Sequence, residues 1–181
     1  DKRIVWGKEW IKTQTRMPPN KLHYKASDYE QESNVLFIDY ETTRYGFRCL
    51  SAPMGPLVLD VFNQNKIFLE SLDNKILTNL KVRPKALGSW ETKQRYIDQF
   101  GEDIISHEST ILKDFQRSRI TICSYPQTSF AESMYSGIPS ILLLNKGIWE
   151  CQSIYDELFF KLEDAKILHF DPKNAAKHIQ Y

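Results

Sequence analysis

From residue 33 onward, short apolar runs alternate with helix-patterned segments. That alternation constrains the fold more than any single residue does. Val35-Leu36-Phe37-Ile38 is the first run. It is continuous rather than alternating, which fits a strand buried on both faces. Pro56 stands where a helix opens, and Leu59, Phe62 and Leu69 follow in a helical rhythm. Residues 76–82 read as a second strand ended by Arg83-Pro84, and 90–100 as a helix closed by Gly101. Ile104-Ile105 reads as a short third strand, and Ser109 as the cap of a helix carrying Ile111, Leu112 and Phe115. Then come a strand at 120–123, a helix at 129–135 stopped by Gly137, and a strand at 141–144. A long amphipathic helix at 149–162, a strand at 167–168 and a helix opened by Pro172 complete the series. Strand–helix units in such succession predict an α/β chain: a doubly wound, Rossmann-like parallel sheet of about six strands with helices on both faces. Ligands of such sheets bind beyond the carboxyl ends of the strands. Four loops are thereby selected: 40–55, 83–90, 106–109 and 124–129.

Residues 1–32 break the pattern. Two tryptophans, Trp6 and Trp10, precede Pro18-Pro19 and a polar run from Ser27 to Glu32. The paired prolines exclude one continuous helix or a central strand through this stretch. It reads as a linker or arm that packs on something else, with residues 33–181 as the domain proper. A chain that begins at Asp1 without an initiator Met is expected to be processed or cut from a longer protein. The 181 residues suffice for one core without a disulfide or metal staple. Cys49, Cys123 and Cys151 are far apart and form no C-x-x-C pair, so they read as free thiols in a reducing compartment. The four histidines are equally scattered, and no metal site is expected. A formal net charge of +1 argues against wholesale nucleic-acid binding. No apolar run approaches the length of a membrane span.

The most informative stretch runs from Ser124 to Ser133 and on to Gly137-Ile138-Pro139. Ser124, Thr128 and Ser129 lie between a strand and a helix, where free N–H groups and hydroxyls can hold an anion. Glu132 falls one turn into that helix and can accept two ribose hydroxyls. A capping box, with Ser129 at the N-cap and Glu132 three residues on, explains the same spacing.

A second cluster covers residues 81–95, with five basic residues against one acid, a net charge of +4. Arg83 stands at a strand's carboxyl end, where a guanidinium can grip a phosphate bidentately, with Lys85 close by. A solvated basic face is the alternative. His107-Glu108-Ser109 ends the third strand and can meet a base or sugar, or simply cap a helix. Tyr45, Arg48 and Ser51 sit in the long loop after the first strand, a place for ligand loops or for domain packing. Asp39-Tyr40-Glu41 faintly resembles an acidic pair for a metal–diphosphate. Neither G-x-G-x-x-G, G-x-x-x-x-G-K-[ST] nor G-x-S-x-G occurs, which argues against the usual dinucleotide, P-loop and hydrolase chemistries.

The basic strand end Lys81-Val82-Arg83-Pro84, the polar loop from Tyr125 to Ser129, Glu132 and Gly137-Ile138-Pro139-Ser140-Ile141 together resemble the nucleotide-sugar-binding C-terminal half of GT-B-fold glycosyltransferases. They are most similar to the transferases of bacterial surface-polysaccharide clusters. Trp6-Gly7, Tyr45-Gly46-Phe47-Arg48 and Gly88-Ser89-Trp90 with Arg95 match the same group. The resemblance covers most of residues 34–181. It implies that Arg83 neutralises the donor phosphates, with Lys85 and Arg48 near them. It implies further that Ser124, Thr128 and Ser129 cradle those phosphates, that Glu132 holds the ribose, and that the loop with His107 borders the base. It implies no cofactor and no metal, a nucleotide-sugar as substrate, and a saccharide or lipid-linked acceptor bound by a preceding domain that also carries the general base. The expected place is the cytoplasm or the periphery of the inner membrane. The doubled glutamate of many retaining members is absent, since Tyr125 stands seven residues before Glu132; this favours inversion. On these expectations the fragment alone would be inactive. A nucleotide-sugar epimerase of the same fold and a non-catalytic interaction domain are the competing readings.

Overall fold

The computed structural model describes residues 2–5, 8–9, 11–17, 34–46, 52–84 and 89–180. In chain order these form β1 (Arg3–Val5), β2 (Gln14–Arg16), β3 (Asn34–Ile38), α1 (Leu57–Glu70), α2 (Asn74–Thr78), β4 (Leu80–Arg83), α3 (Thr92–Phe100), α4 (Ile111–Arg117), β5 (Ser118–Cys123), α5 (Thr128–Tyr135), β6 (Ser140–Leu143), α6 (Asp156–Asp164), β7 (Leu168–His169) and α7 (Pro172–Gln180).

The continuous apolar runs become the strands of one parallel sheet, ordered β4-β3-β5-β6-β7. Successive side chains point to opposite faces, so each run feeds two cores. Val35, Phe37, Val82, Ile122 and Leu143 meet Phe62 and Phe68 of α1, Tyr96 of α3, and Ala175 and Ala176 of α7. Leu36, Ile38, Cys123, Leu142 and Leu144 meet Phe115 of α4, with Phe130 of α5 and Phe159 of α6 packed alongside. The edge strand β4 alternates, with Leu80 and Val82 buried and Lys81 and Arg83 half-buried; β3 and β6 do not, because both their faces are covered. Polar side chains of α1 also enter the first layer. Gln64 of α1 donates to the carbonyl oxygen of Leu144 at 2.9 Å, beyond the end of β6, which satisfies an otherwise orphaned acceptor.

The expected third strand is reduced to one bridge, Ile105 beside Val82, at the outer edge of β4. Glu102–Ile104 winds into a 3-10 turn and leaves only Ile105 extended. Counting that position, the sheet reads 3-2-1-4-5-6, the Rossmann order, with the chain reversing direction between β3 and β5.

Other boundaries moved for local reasons. The first half of the run at 76–82 is helical, because Asp73 caps α2 by accepting from the Ile76 N–H at 2.8 Å; the strand starts only at Leu80. Thr110, not Ser109, caps α4, its side chain accepting from the Lys113 N–H. The helix expected over 149–162 begins with a 3-10 turn at Ser153–Tyr155 and becomes α-helical at Asp156, where Asp156 and Glu157 place carboxylates at its positive end. Within the arm, β1 and β2 pair in parallel as a separate two-stranded sheet. Pro18, Pro19 and the rest of 18–33 lie outside the described residues.

Candidate active site at the strand crossover

Beyond β3 the chain leads to α1 on one face; beyond β5 it leads to α5 on the other. The two loops part at the position where open parallel sheets hold ligands. Asp39 follows β3 directly and is buried. Its Oδ1 accepts from Ser124 Oγ at 2.6 Å and from the Tyr40 N–H at 2.7 Å, and its Oδ2 accepts from the Tyr96 hydroxyl at 2.7 Å. Asn65 of α1 donates to the Tyr96 oxygen at 3.4 Å. The carboxyl thus ties both strand ends to α3 and, through Tyr96, to α1. Burial raises the Asp39 pKa above its ordinary 3.8, against the opposing pull of these donors. Burial, with Asp39 beside it, also pushes the Tyr96 phenol well above 10.0.

Tyr40 and Tyr125, one from each loop, bring their rings to 5.0 Å. The Tyr125 hydroxyl donates to Ser129 Oγ at 2.7 Å. Burial pushes its pKa to about 12, so it stays a donor at neutral pH. Ser129 is half-buried and its Oγ accepts from Tyr125. α5 starts one residue before it, at Thr128, which is exposed, and Gln127 at the N-cap position supplies no side-chain cap to the first turn. Ser129 is therefore inside the helix, and the capping box with Glu132 does not form. Glu132 is half-buried one turn along. Ser124, by contrast, is buried and gives its proton to Asp39.

The loop after β3 also grips the start of α3. Glu41, buried, accepts from the Thr92 hydroxyl and from the Trp90 N–H. Arg44 lays its guanidinium over the Trp90 ring, 4.9 Å from the centroid, while its backbone N–H donates to Ser89 Oγ at 2.5 Å.

Arg83 does stand at the carboxyl end of β4, yet it is partly committed. Its Nη1 donates to Asp114 Oδ2 at 2.5 Å and to the Glu108 carbonyl at 3.0 Å. Ser106 Oγ donates to the other Asp114 oxygen at 2.5 Å. Burial nonetheless raises the Asp114 pKa above its ordinary 3.8. His107 is exposed beside this ion pair and lines a cavity of about 180 Å³ with Lys81, Glu108, Asp114 and Arg117. Lys85 and Arg48 lie outside the described residues. So Ser124 lies just beyond β5 and Thr128, Ser129 and Glu132 in the first turns of α5, with Arg83 at the end of the neighbouring strand β4 and His107 beyond the sheet edge. Sequence reasoning did not single out Tyr96, Asn65, Thr92 or Arg44. Tyr96 falls within the helix expected over 90–100, but nothing local pointed to a buried carboxyl opposite it. Among the described residues, no group of three His, Cys, Asp or Glu could hold a metal ion, and no helix is long and apolar enough to cross a membrane.

The family model described as LIC12162 family transferase matches residues 1–181. No curated protein and no solved structure matches the chain.

Proposed function

The chain belongs to the LIC12162 family of transferases, and from that premise we propose that it binds the donor of a glycosyltransferase, which moves a sugar from a nucleotide-sugar to a surface-polysaccharide or related acceptor. One observation carries this reading. At the crossover between β3 and β5, the start of α5, to which Gln127 supplies no side-chain cap, and Ser129, whose Oγ accepts from Tyr125, stand at the strand end where open parallel sheets hold ligands. Residues 33–181 act as the GT-B C-terminal-type domain. The arm at 1–32 leads from a preceding domain that holds the acceptor and the general base.

In the transfer, the bond between the sugar's anomeric carbon and the phosphate oxygen breaks, and its electron pair stays on the nucleotide. The acceptor hydroxyl forms the new bond and loses its proton to the base. Negative charge grows on the leaving phosphate, and preorganised donors aimed at that charge are the largest catalytic contribution. Thr128, Ser129 and the α5 N–H groups supply such donors. Arg83 adds positive charge from the next strand end while its Nη1 stays on Asp114. Glu132 takes the ribose hydroxyls, and the loop with His107 borders the base. Family membership supports group transfer in general, and the Rossmann order supports the place.

Calorimetric titration with UDP, GDP and CMP tests the reading. Saturable binding of one of them is expected. Absence of binding by all three at millimolar concentration would rule it out.

A further inference from the structure

We propose that Asp39 is the positioning residue of the nucleotide-sugar site: through Ser124 it sets where α5 begins, and it touches no ligand itself. This rests on the nucleotide-sugar reading above and adds to it a role that the family match does not assign. It also moves Ser124 from the expected phosphate cradle to the support behind it. Asp39 follows β3, Ser124 follows β5, and both are buried. Ser124 is held twice at the end of β3. Its N–H donates to the Ile38 carbonyl at 3.0 Å, and its Oγ donates to Asp39 Oδ1 at 2.6 Å.

Only Tyr125-Pro126-Gln127 separates this anchor from Thr128, the first residue of α5. The link is stiff, because the Pro126 ring fixes its own φ and narrows the backbone choices of Tyr125 before it. A second contact runs alongside. Tyr40, the neighbour of Asp39, sets its ring 5.0 Å from that of Tyr125, whose hydroxyl donates to Ser129 Oγ in the first turn of α5. The helix start is thus tied to the end of β3 by two routes that begin at adjacent residues. A carboxyl is costly to bury, and an apolar side chain would pack there at less cost. What the carboxyl adds is two oxygens that hold donors from separate segments: Ser124, the Tyr40 N–H and the Tyr96 hydroxyl. The Ser124 arm leads to α5 and the Tyr96 arm to α3. Fixing α5 before the ligand arrives lowers the ordering cost of binding, and only the first arm does so.

The test uses the full chain, with thermal melting and with calorimetric titration by UDP, GDP, CMP and inorganic pyrophosphate. Ser124→Ala removes the arm to α5, and Tyr96→Phe removes the arm to α3. Both should lower the melting temperature, since each breaks a buried bond to the same carboxyl. Ser124→Ala should also weaken the nucleotide that binds, and pyrophosphate, by about tenfold, whereas Tyr96→Phe should stay within about twofold of the wild type. Asp39→Ala should match the loss in Ser124→Ala, and Asp39→Asn, which keeps an oxygen for Ser124, should recover part of it. If Asp39→Ala does not fold, the contrast between Ser124→Ala and Tyr96→Phe decides alone. Wild-type affinity in Ser124→Ala, or equal losses in Ser124→Ala and Tyr96→Phe, overturns the assignment and leaves the nucleotide reading standing. If the wild type binds pyrophosphate and no nucleotide, the nucleotide reading falls, and the same contrast in pyrophosphate affinity upholds or overturns Asp39. If the wild type binds neither, both fall.

Discussion

Replacing Arg83 by Met keeps the aliphatic stem and removes the charge. In the fold that charge faces Asp114, whose side chain is 4% exposed against 25% for Arg83. The variant leaves the Asp114 carboxyl buried, with Ser106 as its remaining side-chain donor. Breaking a buried pair in this one-sided way costs about 3–5 kcal/mol, because the surviving charge stays desolvated. Coulomb's law gives a similar scale, about 4 kcal/mol for unit charges about 4 Å apart at an effective dielectric constant near 20. The partial exposure of Arg83 places the expected loss at the lower end, about 3 kcal/mol. That is a large share of the roughly 5–15 kcal/mol that holds a domain folded. The pH dependence follows from the direction of the Asp114 shift. Burial holds its folded pKa above the ordinary 3.8, so this carboxyl favours the folded state most below 3.8. Its contribution then declines as pH rises through the window from 3.8 to the raised folded value. Removing Arg83 pushes that folded value higher still. The deficit of Arg83→Met should therefore be small near pH 4, grow with pH across the window, and level off by about pH 7. Urea unfolding at both pH values, with an unchanged m, reads it directly. Adding Asp114→Asn to Arg83→Met removes the stranded charge and should restore part of the stability. A deficit below about 1 kcal/mol at neutral pH, the size of an exposed pair, would refute the reasoning, as would a deficit independent of pH.

Two further substitutions probe the crossover and its flank. Tyr125→Phe keeps the ring against Tyr40 and deletes only the bond to Ser129, so it should cost about 1 kcal/mol and lower the melting temperature by about 2–4 °C; an unchanged melt would mean that the phenol does not hold Ser129 in solution. Gly137, between α5 and β6, has φ 79°, and a Cβ there would meet nothing within 4 Å. Gly137→Ala should then cost about 1–2 kcal/mol by denaturant titration from backbone conformation alone, while Gly147→Ala, whose Cβ would make only an ordinary 3.5 Å contact with Asn145 Oδ1, should be near neutral; equal effects at the two sites would refute the backbone explanation.

The fold was legible where burial on both faces writes itself into a short run. Residues 35–38 and 141–144 are apolar throughout and 120–123 are broken only by Thr121, and they are the centre of the sheet. It was less legible at the edges. Ile76 and Leu77 are as apolar as a strand, and only Asp73, taking the Ile76 N–H, turns them into α2. Ile104-Ile105 is too short to commit the backbone, and the 3-10 turn before it leaves a single bridge. At such places a cap or a turn decides, and its energy is about that of one hydrogen bond, below what apolar periodicity resolves.

The site shows a different limit, because composition names the hydroxyls and not the direction of their protons. Ser124 and Ser129 have the same chemistry and stand five residues apart. The fold sets Asp39 beside the first, so that hydroxyl donates inward and is spent on holding two strand ends together. It sets the Tyr125 phenol beside the second, so that hydroxyl accepts from within its own loop and is not spent on a strand end. The partners come from 85 residues away in one case and four in the other. Only the nearer was within reach of a local motif, and there the spacing left two readings open, an anion site and a capping box with Ser129 at the N-cap. Starting α5 at Thr128 moves Ser129 off the cap and into the first turn, which removes the capping-box reading. The same reasoning applies to the cations. Arg83 looked available from its strand end, yet register against 106–114 commits one of its nitrogens to Asp114. Arg44 looked like an ordinary loop residue, yet the fold sets its guanidinium 4.9 Å from the centre of the Trp90 ring at the start of α3.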